Sequence, residues 1–236
     1  MAIDQSSSES TTMVELIKVS KSYPPDVNAL VNLSLTIERG EMFFVIGMSG
    51  AGKTTLLKLI STMEPATNGL IEITGTPVHR LKGTKLARLR QKIGVAYQDF
   101  KLLLNRTAAE NIAISMEVSY KKPQYIRDRV KSLLDQVGLA DKHDMITGEL
   151  SRGEQQRVTL ARAVANSPSI ILVDEPTGNL DAVTTERVMK LLDNCKKAGA
   201  TIVIATHDDS IYRNTNCRIL ELSKGRMVSM RGKQLS

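Results

Sequence analysis

Residues 47–55 read GMSGAGKTT, directly after the apolar run MFFVI at 42–46. The following residues, KTTLLKLIST, carry apolar side chains at helical spacing. Gly47 to Thr54 therefore satisfy G-x-x-x-x-G-K-[ST] between a strand and a helix, the context that separates this pattern from a chance match. Gly47, Gly50 and Gly52 let backbone N–H groups converge on phosphate oxygens, and the helix N-terminus adds partial positive charge. Lys53 would reach the outer phosphates, and the Thr54 hydroxyl would bind Mg2+. The stretch Gly47, Met48, Ser49, Gly50, Ala51, Gly52, Lys53, Thr54 and Thr55 reads as a nucleotide-phosphate cradle.

Outward from the cradle, strand patterns alternate with helical ones. MVELIKVSKSY, ALVNLSLTIERGE, GLIEITG and KIGVAYQ read as strands on the N-terminal side. From about 100 to 165 the strand signal fades, and three stretches of helical spacing take over, in TAAENIAISMEVS, PQYIRDRVKSLLDQVGL and GEQQRVTLARAVANS. Strand signals return in SIILVDE, ATIVIATHD and CRILELSKGRMV, with the helix VTTERVMKLLDNCKKAG between the first two. This order implies an α/β fold with a mostly parallel sheet and an inserted helical block. Residues 1–12 (MAIDQSSSESTT) read as a mobile polar leader.

SIILVDEP is a buried strand ending in Asp174 and Glu175, and ligands in such sheets sit at the carboxyl ends of strands. Asp174 would hold Mg2+, directly or through its water shell, and Glu175 would act as general base on an attacking water. His207 ends a strand at the same edge, where it would sense the terminal phosphate. A second anion-directed helix start lies in GELSRGEQQRV at 148–158, where Ser151 and Glu154 fit a capping box.

The 236 residues suffice for a real core. Two cysteines, Cys195 and Cys217, stand far apart without metal-ligand spacing, so reduced thiols are the expectation. The net charge of +7 admits nucleic acid or an anionic membrane surface as a partner, but aromatics at 3% leave few base-stacking platforms. No apolar run approaches the roughly 20 residues that span a bilayer.

Taken together, GMSGAGKTT, the Gln98 of AYQDF, LSRGEQQ, ILVDEPTGNLD and the His207 of ATHDD resemble the nucleotide-binding subunit of ATP-binding-cassette (ABC) systems, over the chain from about Val14 onward. The resemblance implies a P-loop NTPase (RecA-like) core, an N-terminal antiparallel β subdomain and an inserted α-helical subdomain, in one domain over 13–236. Its parts would run 13–98, 99–165 and 166–236. ATP and Mg2+ are the implied ligands: Tyr23 would stack on adenine, Gln98 would join Thr54 and Asp174 at the metal and help place the water, and hydrolysis would follow. A homodimer is implied, head to tail, in which Ser151 and Gly153 of one chain close over the triphosphate on Lys53 of the other, with Asp181 near the seam. The segment after Gln98 would contact an integral membrane partner. Its QDFKLL, RT and ENIA closely resemble the cell-division branch of the family, while DEPTGNLD and GEQQRV are shared with lipoprotein-release and efflux branches. The cell-division resemblance implies a peripheral ATPase on the cytoplasmic face of a bacterial inner membrane, acting through its partner on septal peptidoglycan hydrolysis. A soluble ATPase working on nucleic acid or ribosomes is the alternative of another class.

Arg152 departs from the family pattern, which has glycine there. Three readings stand open: a guanidinium lending charge to the phosphate or dimer seam, a solvent-facing side chain with no role, or a steric defect that weakens turnover.

Overall fold

The computed structural model describes residues 11–178 and 180–232. The leader expected over 1–12 lies outside the described residues except for its last two, and Thr12 already opens the first strand. In chain order the strands and first helix are β1 (Thr12–Tyr23), β2 (Val27–Glu38), β3 (Met42–Ile46), α1 (Lys53–Ile60), β4 (Asn68–Ile73) and β5 (Thr76–Pro77). There follow α2 (Gly83–Gln91), β6 (Ile93–Ala96), α3 (Ala108–Glu117), α4 (Pro123–Gln136) and α5 (Arg152–Ala165). The remainder is β7 (Ile170–Asp174), α6 (Ala182–Lys197), β8 (Thr201–Thr206), β9 (Arg218–Ser223) and β10 (Arg226–Arg231).

The strands form two sheets. A small antiparallel sheet has the order β2-β1-β4-β5, and a larger one has β10-β9-β3-β8-β7-β6. Within the larger sheet β9, β3, β8, β7 and β6 run parallel, and only β10 is reversed. The chain is thus an α/β P-loop fold with helices α3 to α5 inserted between β6 and β7.

Side chains alternate across a strand, so each parallel strand serves two cores at once. Phe43, Val45, Leu172, Val203 and Leu220 face the small sheet and α1. Phe44, Ile46, Val173, Ile204 and Ile219 face the helical layer. Strands buried on both faces read as continuous apolar runs, which is why MFFVI and IILV show no alternation. Among the described residues no helix is long and apolar enough to cross a membrane.

Two elements differ from the sequence expectation. Helix α2 lies in the basic stretch RLKGTKLARLRQK at 80–92, where the sequence reading placed no element; none of the helix's residues is buried, so its two leucines leave a weak stripe. CRILELSKGRMV resolves into a hairpin, β9 and β10, turning at Lys224 and Gly225 with φ of +48° and +75°. Both central residues are left-handed there, which matches the twist of the flanking strands.

Helix α5 lies unusually close to β6. A Cβ added at Gly94 would sit 2.0 Å from the Ala163 carbonyl oxygen and 2.9 Å from Pro168 Cγ. The helix and the strand therefore pack backbone to backbone, and neither side can yield without moving the main chain. Gly94→Ala should lower the unfolding free energy by about 1–3 kcal/mol, the usual cost of forcing extra volume into a packed interior. Chemical denaturation of the variant against the unmodified chain measures it.

A phosphate cradle and a second, separate anion-directed surface

Parallel register builds the first site. Ile46 pairs with Thr206, and Asp174 pairs with Ala205, so β3, β7 and β8 end at one level. The residues that follow them, Gly47, Glu175 and His207, therefore meet over the start of α1. One cavity of about 590 Å3 is lined by Tyr23, Met48 to Thr55, Gln98, Asp174, Glu175 and His207. Val27, Asn28, Ala29 and Lys224 also line it, positions that carry no motif and that sequence reasoning missed.

The loop backbone needs its glycines. Gly47 has φ +147° and Gly52 φ +107°; added Cβ atoms would lie 2.3 Å from the Leu222 oxygen and 2.5 Å from the Ala29 oxygen. Lys53 is buried, and its ammonium donates to the Gly47 carbonyl at 2.7 Å and the Met48 carbonyl at 3.4 Å. It also lies 3.4 Å from Glu175 Oε1.

Glu175 is the most constrained residue of the site. Its φ is +51°, rare for a side chain with a Cβ, and its surroundings over-determine it. Its N–H donates to Ala205 O at 2.8 Å, and its carbonyl accepts from Gln156 Nε2 at 2.7 Å. Oε2 accepts from the Thr206 hydroxyl at 3.1 Å and the His207 N–H at 3.3 Å, and Oε1 lies 2.9 Å from His207 Nδ1. Gln156 and Thr206 were missed in the sequence. One acts through a backbone carbonyl, which leaves no mark in residue spacing.

Asp174 Oδ2 accepts the Thr54 hydroxyl at 2.7 Å, while buried Oδ1 has no hydrogen-bond partner among the described residues. Burial pushes this carboxyl above the ordinary aspartate range; the Thr54 hydrogen bond opposes the shift, and Glu175 adds to it. A buried oxygen without a partner next to a hydroxyl is a hard donor set that suits Mg2+. Gln98 is exposed on the turn after β6 and lines the same cavity. The Tyr23 ring stands at the mouth, its hydroxyl 2.5 Å from Glu64 Oε2 and Lys21 Nζ 4.9 Å from its centroid.

Ser151, Gly153 and Asp181 are absent from this cavity. They line a separate concavity of about 460 Å3 with Arg152, Arg157, Leu180 and Thr184. Ser151 caps α5: its Oγ accepts from Glu154 N at 3.3 Å, and Glu154 Oε2 accepts from the Ser151 N–H and hydroxyl, each at 2.8 Å. Asp181 caps α6 through Thr184 N at 2.8 Å. Two helix N-termini thus open onto one surface that holds no nucleotide pocket of its own.

Arg152 is exposed and lines the second concavity, and it makes a contact that none of its three sequence readings named. Its guanidinium carbon lies 5.2 Å from the centroid of the Phe100 ring, two residues beyond Gln98.

Comparison with known proteins identifies the type. The ABC transporter family model matches residues 30–178. The cell division ATP-binding protein FtsE of Bacillus subtilis is 42% identical over 216 residues, covering 92% of this chain and 95% of that protein. The methionine import ATP-binding protein MetN of Geobacillus kaustophilus is 39% identical over 218 residues, covering 92% of this chain and 64% of that one. Among solved structures, the dimeric post-hydrolysis state of the ATP-binding cassette MJ0796, bound to ADP and Pi, superposes with a TM-score of 0.88 at 34% identity, covering 93% and 98% of the two chains.

The raised Asp174 carboxyl yields a signed prediction. A group whose pKa folding raises contributes stability that is complete below its unfolded value and is lost as pH climbs through the folded one. In nucleotide-free protein, the melting temperature of Asp174→Asn should gain on that of the unmodified chain as pH rises above the ordinary aspartate range. The extra stabilisation that Mg2+ lends to bound ATP should disappear in the same variant.

Proposed function

The chain belongs to the ABC transporter family of ATP-binding subunits and is an ATPase, and from that premise we propose that it works as a head-to-tail homodimer driving an FtsX-like membrane protein in bacterial cell division. The observation that carries the dimer is the division of labour on one chain. The Lys53 cavity and the Ser151–Gly153 surface are separate on one chain, each lined by its own residues. Two copies turned to face each other complete both. Dimeric cassette relatives with the same fold support this arrangement.

The chemistry follows from the contacts. Thr54, Asp174 and Gln98 would hold Mg2+, which when bound neutralises developing charge on the phosphates. The Lys53 ammonium is shared between loop carbonyls and Glu175. A γ-phosphate drawing Lys53 toward itself frees Glu175 Oε1 to take a proton from the attacking water. His207, already 2.9 Å from that oxygen, keeps the carboxylate in place and reaches the phosphate from its exposed ring. Ser151 and Gly153 of the second copy close the site, Asp181 lies beside them, and Tyr23 receives the adenine ring. Cleavage followed by phosphate loss removes the bridge between the copies, so hydrolysis opens the dimer.

The membrane role is supported by likeness to FtsE proteins over nearly the full length of both chains. The segment after Gln98 leaves Leu103 and Leu104 exposed at 43% and 57%, as a contact for an integral membrane protein requires. Such a partner would hold the subunit at the cytoplasmic face of the inner membrane, at the septum, and pass its motion to peptidoglycan hydrolases outside.

Glu175→Gln should cut ATP turnover by at least about 100-fold, the usual contribution of a general base, and should accumulate as a dimer when ATP is added. Size-exclusion chromatography of that variant with ATP reads the second effect; a monomer there, with nucleotide bound, would sink the head-to-tail model. Capture of the same protein from membranes identifies the companion, and recovery of a lipoprotein-release or efflux permease would replace the cell-division reading.

A further inference from the structure

Arg152 is the first residue of α5, where its positive charge opposes the helix dipole. A cation held at that position needs a contact that compensates, and the Phe100 face supplies it. Phe100 is 6% exposed, and with Lys101 it forms a bend in which both residues have positive φ, +57° and +47°. The other end of α5 holds the same bend. Arg162 donates to the Phe100 carbonyl at 2.7 Å and to the Lys101 carbonyl at 2.8 Å. Beside Arg152 and the bend, Asp99, Leu102, Leu104 and Gln155 line an open hollow of about 360 Å3. The bend leads straight from Gln98 into the exposed Leu103 and Leu104.

We propose that Arg152 is a positioning residue that, by stacking on Phe100, locks the loop after Gln98 to the N-terminal turn of α5, so that displacement of this loop by a membrane partner re-aims Ser151 and Gly153. The proposal rests on the dimer and partner reading above. It assigns Arg152 to the loop of its own chain and leaves the phosphate to its neighbours. A fork of fixed planar shape suits an aromatic face, and lysine does not replace it.

The chain contains no tryptophan, so Phe100→Trp installs a sole indole at the contact. Acrylamide quenching of that variant should rise about twofold when Arg152→Gly is added, because one ring face loses its cover, and Arg152→Lys should restore only part of the protection. Quenching that is indifferent to residue 152 overturns the contact. In the assembled complex with its membrane partner, Arg152→Gly and Phe100→Leu should each lower partner-stimulated kcat while the KM for ATP stays within about twofold. The double variant should be no worse than either single one, and Phe100→Tyr should behave as the unmodified chain. Additive losses, or a raised KM confined to the Arg152 variants, would assign Arg152 to the phosphate and overturn the proposal. If the unmodified complex shows no stimulation by its partner, the reading beneath fails and the coupling role fails with it; stimulation that survives both substitutions defeats the coupling role alone.

Discussion

The hydrogen-bond register of β3, β7 and β8 is the constraint on which the rest depends. Pairing Ile46 with Thr206 and Asp174 with Ala205 forces a glycine loop, two carboxylates and a histidine to emerge at one level. A shift of one residue would turn Asp174 and Glu175 to opposite faces and bury charge in an apolar layer. Because these strands are covered on both sides, such a shift would also misplace two cores. The chemistry is therefore held by packing that extends well beyond the reacting groups.

Helix α5 ties that sheet to the second surface. Its Gln156 fastens the Glu175 carbonyl, Arg162 fastens the Phe100–Lys101 bend, and Ala163 lies against Gly94 of the strand leading to Gln98. Its first turn carries Ser151, Arg152 and Gly153. One helix thus touches Glu175, the loop that follows Gln98, and the surface around Ser151 and Gly153.

Much of this was legible in the residues. The glycine loop, the acidic end of β7 and the Ser151–Glu154 cap are local patterns, each readable within a few positions, and the alternation of elements pointed to a mostly parallel sheet. What stayed hidden shares a physical cause: contacts between segments far apart in the chain, or contacts made to main-chain atoms. Gln156 with Glu175 and Arg152 with Phe100 are of that kind. Helix α2 escaped for the opposite reason, since it buries no residue and leaves almost no periodic stripe. Asn111 illustrates a third case. In the sequence it marked a family branch, whereas in the fold it is a fully buried fastener bonded to both main-chain groups of Leu103 and to the Thr147 hydroxyl.

The cap on α5 has a consequence of its own. The only hydroxyl proton of Ser151 is already donated to Glu154 within the same turn, and that carboxylate is held below the ordinary glutamate range chiefly by this bond. Any anion that approaches this turn therefore meets a hydroxyl already engaged by a carboxylate of the same turn. An anion that takes the Ser151 proton has to displace the Glu154 carboxylate from it.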